Sequence, residues 1–118
     1  MLLVHARELV AQGWTQHADA RAADDSVVHP WDATAVRWSL LGALVAGVEE
    51  AASIHGEAAA LKELARTCVL LADAVDADSL ELWNDAAERT QFDVLAALDN
   101  AIALPHQAGD DPVGRGAV

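Results

Sequence analysis

The spacing of apolar residues along the chain predicts a protein built from helices. Between Leu2 and Gln12, apolar side chains recur every three or four positions, and Gly13 is a natural helix stop. Between Glu57 and Val75 the same spacing gives a second apolar stripe. Its members are Leu61, Leu64, Ala65, Cys68, Leu71, Ala72 and Val75. We therefore expect both segments to bury one face in a common core.

A nearly uncharged stretch between these two helices predicts the organising element of the fold. Asp32 can accept hydrogen bonds from free backbone N–H groups, so it is expected to begin a helix that continues to about Ile54. From Ala33 to Val48 its one charge is Arg37. A helix that is apolar on nearly every face is normally surrounded by other helices. Residues 14–31 lack a helical period and are expected to form a long loop.

The C-terminal third of the chain predicts one short and one longer helix. Ser79 to Trp83 is expected to form a helical turn that leads into a polar loop. Thr90 and Asp93 have the spacing of a capping box, so the last helix is expected to begin there. Pro105 prevents its continuation. Its expected inner face consists of Phe92, Leu95, Leu98 and Ile102.

Length and composition agree with one small helical domain. The chain has 118 residues, is 53% hydrophobic and contains no tyrosine, which favours helices over sheet. We expect an all-α fold, a compact bundle of about four to five helices around the central apolar helix, over residues 1–104. Residues 105–118 have little to bury and are expected to be a flexible tail. The small core and the glycines of the central helix favour a homodimer.

Charge and cysteine content narrow the choice of partners and compartment. The formal net charge is −12, with seven Lys and Arg residues against nineteen acids, so nucleic acid is not expected as a partner. The same charge either attracts cationic ligands or is simply a solvated acidic surface. The single cysteine, the early charges at the N-terminus and the lack of a spanning segment favour the cytoplasm and no membrane.

Familiar catalytic and metal-binding motifs are missing from the sequence. The five histidines have no spacing that places two metal ligands on one helical face, so no metal is expected. No phosphate-cradling glycine loop or dinucleotide fingerprint occurs, so no cofactor is expected either. His17 and His29 flank the long loop, where they are either solvated or available as a base near neutral pH.

Four tryptophans stand where apolar runs meet polar groups, a placement that suits both a core and a recognition surface. Trp14 and Trp31 bracket the long loop and are the better candidates for contact with a ligand. Trp38 is either core or the floor of a pocket, and Trp83 is expected to be a packing anchor.

Two polar features have both a structural and a functional interpretation. Arg37 in an apolar helix needs a partner, either a buried Asp85, Asp32 or Asp93, or the carboxylate or carbonyl groups of a ligand. The polar loop around Asn84 is either a site or only a cap and turn, with Arg89 neutralising a neighbouring acid.

Three pieces of the chain together resemble a known family. They are Gly13-Trp14-Thr15-Gln16, then Ala35-Val36-Arg37-Trp38-Ser39-Leu40-Leu41-Gly42-Ala43-Leu44, then Trp83-Asn84-Asp85 with Arg89-Thr90. In this order they resemble small, mostly uncharacterised helical proteins from actinomycetes and their phages. Within that group the chain is most similar to the accessory proteins of cinnamycin- and duramycin-type lantibiotic clusters, which install a lysinoalanine bridge.

The resemblance implies a lysinoalanine synthase whose partner is a modified lantibiotic precursor peptide. A lysine ε-amine of that peptide adds to a dehydroalanine, an aza-Michael closure without metal or redox cofactor. On this hypothesis Asp32 or Asp85, or the peptide itself, takes the amine proton. The residues expected to bind the peptide are Trp14, Gln16, His29, Trp31, Arg37 and Trp38. The alternative is a non-catalytic helical module that binds a peptide or protein through the same surfaces.

Overall fold

The computed structural model describes residues 1–104, which form a mostly helical, compact fold with a small two-stranded sheet. The elements in chain order are α1 (Leu2–Gln12), β1 (Ala20–Ala22), β2 (Ala35–Trp38), α2 (Leu40–Ala46), α3 (Val48–His55), α4 (Glu57–Ala74), α5 (Leu80–Asn84) and α6 (Gln91–Ala103). The predicted tail at 105–118 lies outside the described residues. None of the helices within 1–104 is long and apolar enough to cross a membrane.

Helix α1 is the element around which the others pack. It lies against α2, α4, α6 and β2. The buried side chains of its inner face are Leu2, Leu3, Ala6 and Val10. The predicted bounds of this helix and its stop at Gly13 are confirmed. The expectation that residues 32–54 form the central helix is wrong, because α1 occupies that position.

The predicted helix from Asp32 to Ile54 is three separate elements, β2, α2 and α3. Asp32 does accept a hydrogen bond from the Thr34 backbone N–H, at 2.8 Å, but no helix begins there. Ser39 is the true N-cap, since its hydroxyl oxygen accepts from the Gly42 N–H at 3.0 Å. A short apolar run has the same composition in a buried strand as in a buried helix. The apolar pattern therefore did not show that a strand ends at Trp38 and a helix begins at Leu40.

Strand β2 exists because a distant part of the chain pairs with it. Ala20, Arg21 and Ala22 of β1 face Trp38, Arg37 and Ala35 of β2 in an antiparallel register with an irregularity after Arg21. The predicted long loop at 14–31 therefore contains a strand, and the fold is not all-α. Local periodicity cannot reveal such a pairing, since its energy comes from hydrogen bonds between separated segments.

The two C-terminal helical predictions were right in position and partly wrong in orientation. The capping box of Thr90 and Asp93 is present, and α5 and α4 lie within one residue of their expected bounds. On α6, however, Phe92 is 77% exposed. The side chains it buries are Val94, Ala97, Leu98 and Ala101. The small alanines among them let α6 lie close against α1.

The predicted stripe on α4 is only partly buried. Leu71 is fully buried, whereas Leu61 and Ala65 are exposed. The reason is that α4 packs mainly against α3, and α3 has no buried residue of its own. This helical pair therefore leaves much of its apolar surface uncovered in the single chain.

The backbone near Asp19 lies so close to α2 that position 42 has no room for a side chain. A Cβ at this position of α2 would collide with the Asp19 carbonyl oxygen, which lies in the segment before β1. Asp19 in turn accepts a hydrogen bond from the Ser39 N–H at 3.0 Å. The start of α2 and the start of the sheet are therefore locked together through backbone atoms.

We predict that Gly42→Ala lowers the free energy of unfolding by roughly 1–3 kcal/mol, because a backbone carbonyl cannot move aside as a side chain can. Urea denaturation measures the change. Gly47→Ala is the matched control, since its Cβ would meet the Leu2 Cδ2 at 2.9 Å, the end of a flexible side chain. Equal effects of the two substitutions would contradict the backbone collision.

Candidate functional site

The side chain of Asn84 forms the centre of a buried polar cluster. It is fully buried. Its Oδ1 accepts from the Trp14 indole N–H at 2.8 Å and from the Leu40 backbone N–H at 3.0 Å. Its Nδ2 donates to the Thr15 carbonyl at 3.1 Å and to Asp85 Oδ1 at 3.0 Å. One amide thus joins the end of α5, the segment after α1 and the start of α2.

Besides Trp14, two further predicted site residues, Gln16 and Asp85, belong to the same cluster. The Gln16 amide donates to the carbonyl oxygens of Asn84 and Ala86, at 3.0 and 2.8 Å. Asp85 Oδ1 also accepts from the His17 backbone N–H at 2.9 Å. His17 has a positive φ of 65°, a conformation uncommon outside glycine that this hydrogen bond helps to hold. Within residues 1–104, these groups satisfy one another.

The polar segment of Trp83, Asn84, Asp85 and Arg89 therefore has a structural role, because it holds α5, the segment after α1 and the start of α2 together. Arg89 does not pair with Asp85 but donates to the Trp83 carbonyl at 2.8 Å and lies over the Trp83 ring, 4.0 Å from its centroid. This contact supports Trp83 as a packing anchor. The sequence identified the loop but did not reveal the role of Asn84, because a buried amide has the same local pattern as a turn.

Arg37 pairs with Asp25, which is not among its expected partners. It lies on β2, and its Nη2 donates to Asp25 Oδ1 at 2.7 Å and to the Ala22 carbonyl at 3.0 Å. The expectation of a partner at Asp85, Asp32 or Asp93 is wrong, since the strand directs Arg37 towards the turn after β1. Its guanidinium closes that turn.

A second region, the Trp31 groove, contains three other predicted site residues. It has a volume of about 620 Å³ between α1, α3 and the segment before β2. The residues that line it are His5, Leu9, Pro30, Trp31, Asp32, Ala33, Ala35, Trp38, Ala46, Glu49, Glu50 and Ser53. The predicted site is thus divided: Trp31, Asp32 and Trp38 lie in this groove, whereas Trp14, Gln16 and Asp85 lie in the Asn84 cluster.

Two tryptophans give the groove an aromatic floor and wall. Trp38 is 7% exposed and donates its indole N–H to the Pro30 carbonyl at 2.9 Å, which holds the floor in place. Trp31 is 51% exposed and stacks on His29 with ring centroids 4.8 Å apart and planes 3° from parallel. The stack supports Trp31 from one side, so a large apolar face remains available at the groove.

Three acidic side chains give the groove its charge, and His5 is the other titratable residue of its lining. Asp32, Glu49 and Glu50 line it, and the lining residues within 1–104 include no Lys or Arg. The hydroxyl of Thr34 hydrogen-bonds Asp32, with its backbone N–H as the second donor, and together they lower the pKa of that carboxyl. A lowered pKa makes Asp32 a weaker proton acceptor and a more persistent negative charge. The groove therefore favours a cation over an anion.

His5 also lines the groove, although it is not among the predicted site residues. Its Nδ1 lies 3.9 Å from Glu50 Oε1, and its side chain is about one third exposed. It lies on the outer face of α1, away from the buried side chains Leu2, Leu3, Ala6 and Val10. Only the position of α3 turns this outer face into a groove wall, so no local signal could have found it.

The fold and the groove define a small helical protein with an acidic, tryptophan-lined depression on its surface. The chain belongs to a family of unknown function, DUF6197, whose model matches residues 1–104. No curated protein and no solved structure matches the chain. In the part of the chain that the structure describes, no group of three or more His, Cys, Asp and Glu residues is arranged to hold a metal ion.

We predict that Asn84→Ala lowers the free energy of unfolding by about 3 kcal/mol or more. The substitution leaves the Trp14 N–H, the Leu40 N–H and the Thr15 carbonyl without their partner, and each buried unsatisfied group costs about 1–3 kcal/mol. Urea denaturation provides the measurement. Asn100→Ala, an exposed change on α6, is the control and should be nearly neutral. A comparable loss in both variants, or in neither, would show that the Asn84 hydrogen bonds do not hold these segments together.

Proposed function

We propose that this protein binds a lysine-bearing segment of a peptide in the Trp31 groove. The observation that carries the proposal is the combination of an exposed, supported Trp31 ring with three carboxylates, Asp32, Glu49 and Glu50, around one open groove. Aromatic faces attract cations through their quadrupole, and nearby carboxylates add to that attraction. A cationic side chain is therefore the ligand chemistry that this surface fits best.

Lysine suits the groove through its stem as well as its charge. The four methylene groups of a lysine can lie against Trp31, Ala35 and Leu9 while the ammonium group reaches the carboxylates at the rim. The volume of about 620 Å³ exceeds that of one side chain and falls in the usual range of ligand sites. The remaining space accommodates the flanking peptide.

We predict that Trp31→Ala weakens the binding of a capped peptide with one lysine by at least about fivefold, since loss of an interfacial aromatic anchor commonly costs 1 kcal/mol or more. Isothermal titration calorimetry at low salt measures the affinity. The matched ligand carries Nε-acetyl-lysine in place of lysine, which keeps the methylene stem and removes the charge of the side chain. Phe92→Ala is the control protein, because Phe92 is an exposed aromatic residue that lines neither the groove nor the Asn84 cluster. Equal affinity for both ligands would contradict the proposal.

A more specific proposal, the finer form of the first, adds a reaction to this binding: the bound peptide closes a lysinoalanine bridge. The resemblance of the three sequence pieces to lantibiotic accessory proteins supports this form. Deprotonating a lysine with a pKa of about 10.4 at pH 7 requires roughly 4–5 kcal/mol, and ideal positioning of the reactants contributes about 7–11 kcal/mol. A groove that holds the lysine against a dehydroalanine of the same peptide would therefore offset the cost of deprotonation by positioning.

The chemical step conserves every atom. The ε-ammonium group loses a proton to a base, and the amine nitrogen bonds to the β-carbon of dehydroalanine while the C=C π bond breaks. The α-carbon then takes up a proton. We place Asp32 beside the ammonium group, where its lowered pKa suits charge stabilisation better than proton transfer. Asp85 accepts two internal hydrogen bonds, so as a candidate base it would have to exchange them.

Thiol trapping tests the finer form, because ring closure leaves the mass unchanged but consumes the dehydroalanine. A dehydrated, thioether-cyclised precursor peptide treated with the protein is expected to lose most of its thiol adduct, as seen by mass spectrometry. Trp31→Ala protein should preserve the adduct, and so should a precursor with N-acetyl-lysine. An unchanged adduct yield with wild-type protein would reject the cyclase and leave the binding proposal standing.

One observation favours the alternative, a non-catalytic peptide-binding module. Gln16, predicted to bind the peptide, and Asp85, predicted as a candidate base, are both engaged in the Asn84 cluster, where they serve the fold. On this alternative the Trp31 groove binds its peptide and no bond is made. Binding with full retention of the thiol adduct is the result that identifies it.

Self-association of two chains stays a proposal. It is supported by large apolar side chains that are more than two thirds exposed in the single chain. They include Val69, Leu82 and Phe92. Pairing would remove such surfaces from water, which is the main driving force of homodimer formation.

A further inference from the structure

A tight turn beside the Trp31 groove brings a histidine ring against the tryptophan ring. The Asp32 backbone N–H donates to the His29 carbonyl at 3.0 Å, which closes a turn over residues 29–32. Pro30 stands at the second position of this turn, which its fixed φ favours. Within the turn, the His29 and Trp31 rings stack with centroids 4.8 Å apart and planes 3° from parallel. The stack is therefore built into the local geometry of the chain.

The imidazole of His29 covers the face of Trp31 that a ligand does not use. Trp31 lines the groove, whereas His29, although predicted to bind the peptide, is not among the lining residues within 1–104. With 51% of its surface exposed, the indole depends on the stack for its orientation. The Trp38 indole N–H fixes the turn itself, through the Pro30 carbonyl at 2.9 Å. His29 thus supports Trp31 without occupying the space that a bound side chain needs.

The charge of His29 changes in a pH range in which the carboxylates of the groove keep theirs. Imidazole groups take up a proton between about pH 8 and pH 5, and carboxylates do so mainly below pH 5. The charged and titratable groups around the Trp31 ring are Asp32 in the same turn, His5 on α1, and Glu49 and Glu50 on α3. Between about pH 8 and pH 5.5, the groups that change at the groove are therefore the two imidazoles.

We propose that His29 is a positioning residue of the Trp31 groove, and that its charge sets the pH range in which the groove binds lysine. This inference rests on the proposed binding of a lysine in the groove. A cation is attracted to the face of an indole by the quadrupole of the ring. An imidazolium on one face repels a second cation on the opposite face. The neutral form of His29 therefore supports lysine binding, and the protonated form weakens it.

The experiment measures the affinity of a capped peptide with one lysine by isothermal titration calorimetry at low salt, at about pH 8 and about pH 5.5. His29→Phe keeps a ring that can stack on Trp31 and removes the charge, whereas His29→Ala removes both. At the higher pH, His29→Phe is expected to bind as wild type does, and His29→Ala about twofold or more weakly, because the indole loses its stacked partner.

The dependence on pH separates the charge of His29 from its packing. Each protein is also made with His5→Gln, which removes the other imidazole of the groove. In this background, the protein with His29 is expected to lose about two- to fivefold in affinity at the lower pH, the usual size of an interaction between exposed charges. His29→Phe should abolish this loss. His55→Gln is the control and should preserve it, because His55 is exposed and does not line the groove.

The outcomes distinguish this inference from the proposed function. If no lysine peptide binds, or if Trp31→Ala leaves the affinity unchanged, the groove is not the site and both proposals fail. If binding depends on Trp31 but both His29 variants match wild type at both pH values, the role of His29 alone is overturned. A loss at the lower pH that persists in His29→Phe with His5→Gln also overturns it, since another group then titrates. Circular dichroism of each variant shows whether the fold is intact.

Discussion

The hydrogen bonds of the Asn84 amide are the constraint on which the rest of the structure depends. Asn84 is fully buried, so each polar atom of its side chain must find a partner within the protein. Its partners are Trp14, Thr15, Leu40 and Asp85, which belong to three separated parts of the chain. An arrangement that separated those segments would leave the same atoms without partners, so the side chain favours this packing among the many that apolar contacts allow.

The effect of this constraint reaches the Trp31 groove through a series of hydrogen bonds. Asn84 holds the Thr15 carbonyl, and the Thr15 N–H donates to the Trp38 carbonyl at 3.2 Å. The Trp38 N–H donates in turn to the Gly13 carbonyl at 3.0 Å, so both backbone polar groups of Trp38 are bound to the segment that follows α1. Its indole N–H then holds Pro30, directly before Trp31. Hydrogen bonds thus connect the Asn84 cluster to the Trp31 groove, although the residues of the two regions serve different purposes.

The sequence predicted those parts of the fold whose cause is local. Helices α1 and α4 follow from a clear apolar period, and the start of α6 follows from the Thr90 and Asp93 side chains. Strand β2 could not be predicted in this way, since its residues are held by β1 and by Gly13, both distant in sequence. The same reason explains the partner of Arg37: Asp25 comes near only after the strands have paired.

The candidate site was predictable in its residue types but not in its grouping. The sequence shows that all four tryptophans stand next to polar groups, yet it could not say where each indole N–H goes. Trp14 donates to Asn84 and Trp38 donates to Pro30, so both indoles are committed to the fold. Trp31 keeps half of its surface exposed, and its N–H has no hydrogen-bond partner among residues 1–104. A tryptophan that the fold supports by stacking but does not use for hydrogen bonding is best suited to a ligand, because binding then breaks no internal contact.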